Sequence, residues 1–172
     1  MRKTVCLVAI VAALASTSAV GQKVGSALTR NYVEAAAQSD AFEMLEADTA
    51  LTQSADPQVR AFAQQMLRDH GQIGQALRQA TASAGVEPPP MGTVGADLAP
   101  LLGALQSLRG PEFDRVYWRH QALAHRSALT TTQHYAANGD TPAVRQAATA
   151  AVPIIAGHLA MAEQMQAKLG GS

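Results

Sequence analysis

Five histidines punctuate the 172-residue chain, and three of them stand where an amphipathic helix would normally bury leucine. Around the stretch AFAQQMLRDHGQIGQAL, every third or fourth residue reads Val59, Ala63, Met66, His70, Ile73 and Leu77. That is an apolar stripe of helical period with His70 at its centre. His158 interrupts a second stripe in the same way, among Val144, Ala148, Ala151, Ile155, Ala162 and Met165. His125 shares a third with Phe113, Tyr117, Gln121, Ala128, Leu129 and Thr132. Antiparallel hairpins hold mid-length positions at similar depth, so the three imidazoles are expected to converge. Neutral imidazole is the commonest nitrogen ligand for first-row metals, and the pattern predicts a site for a divalent transition metal such as zinc, copper or iron.

A cage of three histidines and one carboxylate needs an acid from the remaining helix, which offers Asp40 and Glu43. A helical wheel puts Asp40 on the apolar face and Glu43 at its edge, about 90 degrees from the centre. The predicted ligand set is Glu43, His70, His125 and His158. Two blander roles compete: core histidines bonded to a carbonyl or tyrosine, and a histidine–carboxylate network that fixes helix register. The di-iron pattern is missing, since the residues three before these histidines are Leu67, Ala122 and Ile155 rather than glutamate. His120 and His134 fall outside the stripes and read as surface residues. Asp69 lies about 100 degrees round the helix from His70, so the two cannot act as a dyad. No nucleophile elbow or glycine-rich phosphate loop is present. A non-enzymatic metal-binding module therefore leads, and a structural or stress-related envelope interaction protein is the alternative. Acid–base or oxidative enzyme chemistry ranks last, because it also needs a concave pocket beside the histidines.

Four long helical segments must position these residues. The first reads from about Asn31 to Ser54. Asp56 caps the second and Pro57 starts it, and it runs to about Ser83. Gly71 and Gly74 weaken that helix by roughly 1 kcal/mol each and let a neighbour approach closely. GVEPPPMGTVGADLAP is an extended connection, holding four of the eight prolines. A short amphipathic piece, ADLAPLLGALQSLRG, leads from it to the third helix, Pro111 to about Ala137. After the turn NGD, Thr141 caps and Pro142 starts the fourth, which reaches about Leu169. The expected class is all-α: a four-helix bundle of two hairpins joined by a long crossover. The methionines of the mature chain read as core fillers and Trp118 as a packing residue or a lid at the bundle end.

Composition agrees: 48 % of residues are hydrophobic, 15 % charged and only 4 % aromatic, with strand signals nearly absent. MRKTVCLVAIVAALASTSAVGQ has the three parts of a secretory signal peptide, expected over residues 1–21, followed by a polar leader over 22–30 and the helical domain over 31–169. Its apolar run is too short for a transmembrane span of roughly 20 residues. Cleavage would leave eleven basic against thirteen acidic residues, so a nucleic-acid partner is not expected. Cys6, the only cysteine, lies in the signal, which leaves the mature chain without disulfide or thiolate chemistry. The product is expected in the periplasm or peripherally at the outer membrane.

The blocks AAAQSDAFEMLEA, DPQVRAFAQQMLRDH, AGVEPPP, FDRVYWRHQALAH and YAANGDTPAVRQAATAAVPIIAGHLAMAEQM fall in an order that resembles the bacterial exported family catalogued as domain of unknown function 4142. The resemblance covers residues 29 to 168. It implies a ferritin-like fold and an exported protein of a family often labelled outer-membrane, with no biochemical activity in its name. The family positions correspond to Glu43, Asp69-His70, Phe113-Asp114, Tyr117, His125, Pro153 and His158-Leu159. Asp40 stands where the family usually has a glycine. Burial of the three imidazoles predicts that stability falls as pH drops below about 6.5, while a carboxylate partner such as Glu43 acts the other way.

Overall fold

Ser26 opens the first helix: its hydroxyl accepts from the Thr29 amide at 3.0 Å, satisfying a donor that no helical carbonyl can reach. Helix α1 (Ala27–Gln53) thereby starts four residues before the expected Asn31 and absorbs the end of the predicted leader. Asp56 caps α2 (Pro57–Ala84) as expected, accepting from Gln58 N at 2.7 Å and Val59 N at 3.2 Å. Gly85, at φ 65°, ends α2 in the left-handed conformation. There Val86 N donates to Thr81 O at 2.9 Å, and the buried Val86 side chain pins the start of the crossover. The computed structural model describes residues 25–88 and 90–170, so the expected signal peptide lies outside the described residues.

The crossover carries a helix of its own, α3 (Ala99–Gln106), where a short amphipathic piece was expected. Leu105 of α3 is fully buried and anchors it to the core. Helices α4 (Gly110–Asn138) and α5 (Pro142–Gly170) follow within one or two residues of prediction. Among the described residues the chain is all-α, with five helices and no strand. None of these helices is long and apolar enough to cross a membrane. Helix α1 packs on α2 and α4, and α5 packs on α4 and α2, so the four long helices form a closed ring of neighbours.

One end of this ring is tied by polar bonds. The buried Thr29 hydroxyl meets Tyr135 Oη at 2.7 Å, Asp140 Oδ1 at 2.7 Å and Thr141 Oγ1 at 2.8 Å. The Tyr32 and Tyr135 rings stack above it with centroids 4.2 Å apart. The turn can close there only because residue 139 is glycine, since a β-carbon would lie 2.5 Å from the Tyr135 ring. Trp118 is not an end lid: it is 2 % exposed and packs on Phe62 and Tyr117 inside. Met66 and Met165 fill the core as expected, whereas Met91 and Met161 are exposed.

The apolar core comes in two parts. Val59, Phe62, Met66, Leu105, Phe113 and Trp118 belong to one, while Tyr32, Val33, Leu77, Tyr135 and Val144 belong to the other. Between them in sequence, or at the edge of the first part, every long helix carries buried polar residues: Glu43 and Glu46 on α1, His70 on α2, His120, Gln121 and His125 on α4, and His158 on α5. Helices α1 and α2 come close at this level because Gly74 has no side chain. A β-carbon there would sit 2.5 Å from Asp40 Oδ2, and Asp40 is itself held to His70 at 2.6 Å. Gly71, one turn earlier, faces open space. Gly71→Ala should therefore add up to about 1 kcal/mol in urea melts, the ordinary helix gain. Gly74→Ala should lose that gain or destabilise, and equal gains at both positions would contradict the close approach.

Candidate metal centre

Each of the three predicted histidines spends one ring nitrogen on an oxygen and leaves the other bare. His70 Nδ1 lies 2.6 Å from Asp40 Oδ1, His158 Nε2 lies 2.9 Å from Asp69 Oδ2, and His125 Nδ1 lies 2.8 Å from the Gln121 carbonyl. Carboxylate and carbonyl oxygens only accept, so the ring hydrogens sit on these nitrogens. The opposite atoms, His70 Nε2, His125 Nε2 and His158 Nδ1, are buried without a hydrogen-bond partner among the described residues. In the neutral tautomers so fixed, all three are lone pairs.

The rings face one another. Their centroids lie 5.6 Å apart for His70 and His125, 5.5 Å for His70 and His158, and 5.3 Å for His125 and His158. Each can offer one nitrogen such that the three lie within 4.8 Å of one another. All three residues are at most 4 % exposed. Burial, reinforced by the proximity of His70 and His158, pushes His125 down to about 3. Burial also lowers His158, against the opposing pull of Asp69. Protonation of His125 and His158 is thus disfavoured, which keeps their free nitrogens available as donors to a cation.

Glu43, the expected carboxylate ligand, stands beside this cluster. Its Oε1 is 3.3 Å from His125 Nδ1, the nitrogen already committed to Gln121, and has no hydrogen-bond partner among the described residues. Glu43 is 1 % exposed, so the edge position given by the wheel is corrected to the core. Helix α1 has neighbours on more than one side, and a single stripe underestimates its buried face. Asp40, on the apolar face as expected, backs His70. Asp69 does not act with its neighbour His70; it turns to His158 on α5.

His120 is not a surface residue. It is 7 % exposed, and its Nδ1 meets Glu46 Oε1 at 2.7 Å. Glu46, one turn from Glu43, is fully buried and was not singled out in the sequence. Gln121 joins the two acids, its Nε2 donating to Glu43 Oε2 at 2.8 Å and Glu46 Oε2 at 3.0 Å. The i, i+3 spacing of Glu43 and Glu46, with His120 and Gln121 adjacent on α4, was the available signal. His134 is exposed, as predicted. Burial raises Glu43 well above the ordinary carboxylate range, with Glu46 adding to it, and raises Glu46 against the bond from His120. Burial likewise lifts the Tyr117 hydroxyl, which lies near both acids.

Two concavities flank the centre. One, of about 160 Å³, has His70 and Asp40 in its wall. The other, lined by Asp69, Pro153, Gly157 and Met161 among others, reaches His158. The family described as Domain of unknown function (DUF4142) matches residues 14–165 of the chain. Neither a curated protein nor a solved structure matches.

The opposed shifts of His125 and Glu43 set a pH dependence. Between about 3 and 6.5 the unfolded chain holds a proton that folded His125 refuses, so acidification there removes stability. Folded Glu43 holds a proton above pH 4.5 that the unfolded chain has released, so acidification toward 4.5 adds stability. Glu43→Gln deletes only the second effect. From pH 6.5 to pH 5 the variant should lose up to about 2 kcal/mol more than the parent in denaturant melts. Parallel pH profiles would show that Glu43 is not held protonated.

Proposed function

The chain belongs to the DUF4142 family, a name that assigns no activity, and we propose from its polar centre that it is an exported module which binds a divalent transition metal through His70, His125 and His158. One observation carries the reading: three buried imidazole nitrogens, each forced by its partner to be a lone pair, share one cluster with no donor among the described residues. An unpaired buried acceptor costs about 1–3 kcal/mol, and three together are hard to account for in a purely structural core. A cation satisfies all three at once.

The surroundings suit a metal. Histidine ligands commonly donate their second nitrogen to a carboxylate or carbonyl, which fixes the tautomer and strengthens the ligand. Asp40, Asp69 and the Gln121 carbonyl take those places. Two carboxylates also balance a divalent charge, which lowers the penalty of burying it. Three imidazoles favour zinc, copper or nickel over hard cations such as magnesium, and iron remains within their range. Glu43 would act behind His125 rather than replace an imidazole. The helix order, ring packing and long crossover support a ferritin-like four-helix bundle with a histidine centre in place of a carboxylate one. The signal-like first residues support export to the periplasm, or to the periphery of the outer membrane with an envelope partner.

The test is a melt of tag-free, chelator-treated protein with zinc, copper or nickel added. Free metal at 100 times the dissociation constant should stabilise by about 2.7 kcal/mol. His70→Ala and His158→Ala should each abolish the shift. If no metal shifts the parent, and His70→Leu or His158→Leu is neutral or stabilising, the alternative of a structural envelope protein with hydrogen-bonded core histidines takes its place.

A further inference from the structure

The cavity next to His70 has a composition of its own. It measures about 160 Å³, opens in part to solvent, and is lined by residues of all four long helices and the crossover. Ile73, Leu98 and Ile155 give it apolar walls, and Ala128 and Ala151 leave room where larger side chains would fill it. Neither His125 nor His158 lines it, so it is distinct from the space between the imidazoles. Cavities of roughly 150 Å³ with apolar walls take up benzene. The crossover contributes Asp97 and Leu98 to the wall and packs closely on α1, where a β-carbon on Gly95 would collide with Gln38 Oε1 at 2.8 Å.

Asp40 supplies a charge at one side of this apolar space. Its side chain keeps 14 % of its surface exposed against 5 % for His70, and only Oδ1 is engaged by the imidazole. A carboxylate oxygen accepts and never donates when ionised, so it selects a ligand with an O–H or N–H. Asp40 Oδ2 lies beside Gly74, on the side of the carboxyl group away from the imidazole. A neutral donor on a six-membered ring matches both volume and chemistry.

We propose that the cavity between Ile73, Ala128, Ala151 and Ile155 binds a small neutral phenol-class compound, its ring against the apolar wall and its hydroxyl donating to Asp40. The site requires no metal and goes beyond the metal-binding reading.

Chelator-treated protein titrated with phenol and with benzene, followed by calorimetry and melting temperature, tests the proposal. Both should bind saturably, with phenol at least about tenfold tighter, since a site built to pair a hydroxyl penalises the analogue lacking it. Ala128→Leu should abolish binding of both while preserving the helical circular dichroism, and Ala151→Leu provides a second filling variant should the first fail to fold. Asp40→Ala should reduce phenol affinity to that of benzene. The proposal is overturned if neither probe binds the parent, if a folded filling variant binds unchanged, or if Asp40→Ala keeps the preference for phenol. Because no metal is present, loss of zinc binding at the histidines leaves each of these outcomes readable.

Discussion

The structure depends on a layer of hydrogen-bonded polar side chains laid across an apolar core. Burying a polar group without a partner costs far more than a hydrogen bond returns, so each member constrains its neighbours. Asp40 must meet His70, which requires α1 and α2 to approach at Gly74. Asp69 must reach His158 from α2 to α5, and Gln121 must span Glu43 and Glu46 from α4 to α1. These links cross three of the four interfaces between neighbouring long helices, and a shift of any one helix along its axis would break at least one of them. The layer thus fixes register, which alanine-rich apolar faces specify poorly by shape alone.

Where the sequence was legible, a local rule acted. Asp56 with Pro57 located the start of α2 to the residue, and Pro142 did the same for α5. His70, His125 and His158 stood out because each interrupts a run of small or apolar residues at helical spacing. Asp40 was correctly placed on the inner face, although its partner could not be read, since pairing across helices leaves no local trace. The same is true of Asp69, whose neighbour in sequence is a histidine but whose partner is another one, 89 positions away.

Misreadings cluster on α1 and α4. A wheel assumes one buried stripe, but α4 packs against α1, α3 and α5, and Tyr117, Trp118, His120, Gln121, Ala122, Ala124 and His125 are all buried. With so much of its circumference covered, His120 lies inside despite missing the stripe. Glu46 was passed over because a glutamate on an amphipathic helix usually faces water. Helix α1 begins before the expected Asn31 for a simpler reason: a serine cap, Ser26, acts as strongly as an apolar pattern in deciding where a helix begins.

The division of the polar layer between the two hairpins bears on how the chain assembles. Asp40 and His70 come from the α1–α2 hairpin, whereas His125 and His158 come from α4–α5. Each hairpin is closed by a turn of three residues and forms through near neighbours in sequence, with little loop entropy to overcome. Bringing the hairpins together must instead close the crossover and strip water from imidazoles and carboxylates whose partners sit on the opposite unit. Docking is therefore the step at which the loop entropy and the desolvation fall due together, and substitutions in the polar layer would act chiefly on its rate while the hairpins form as before.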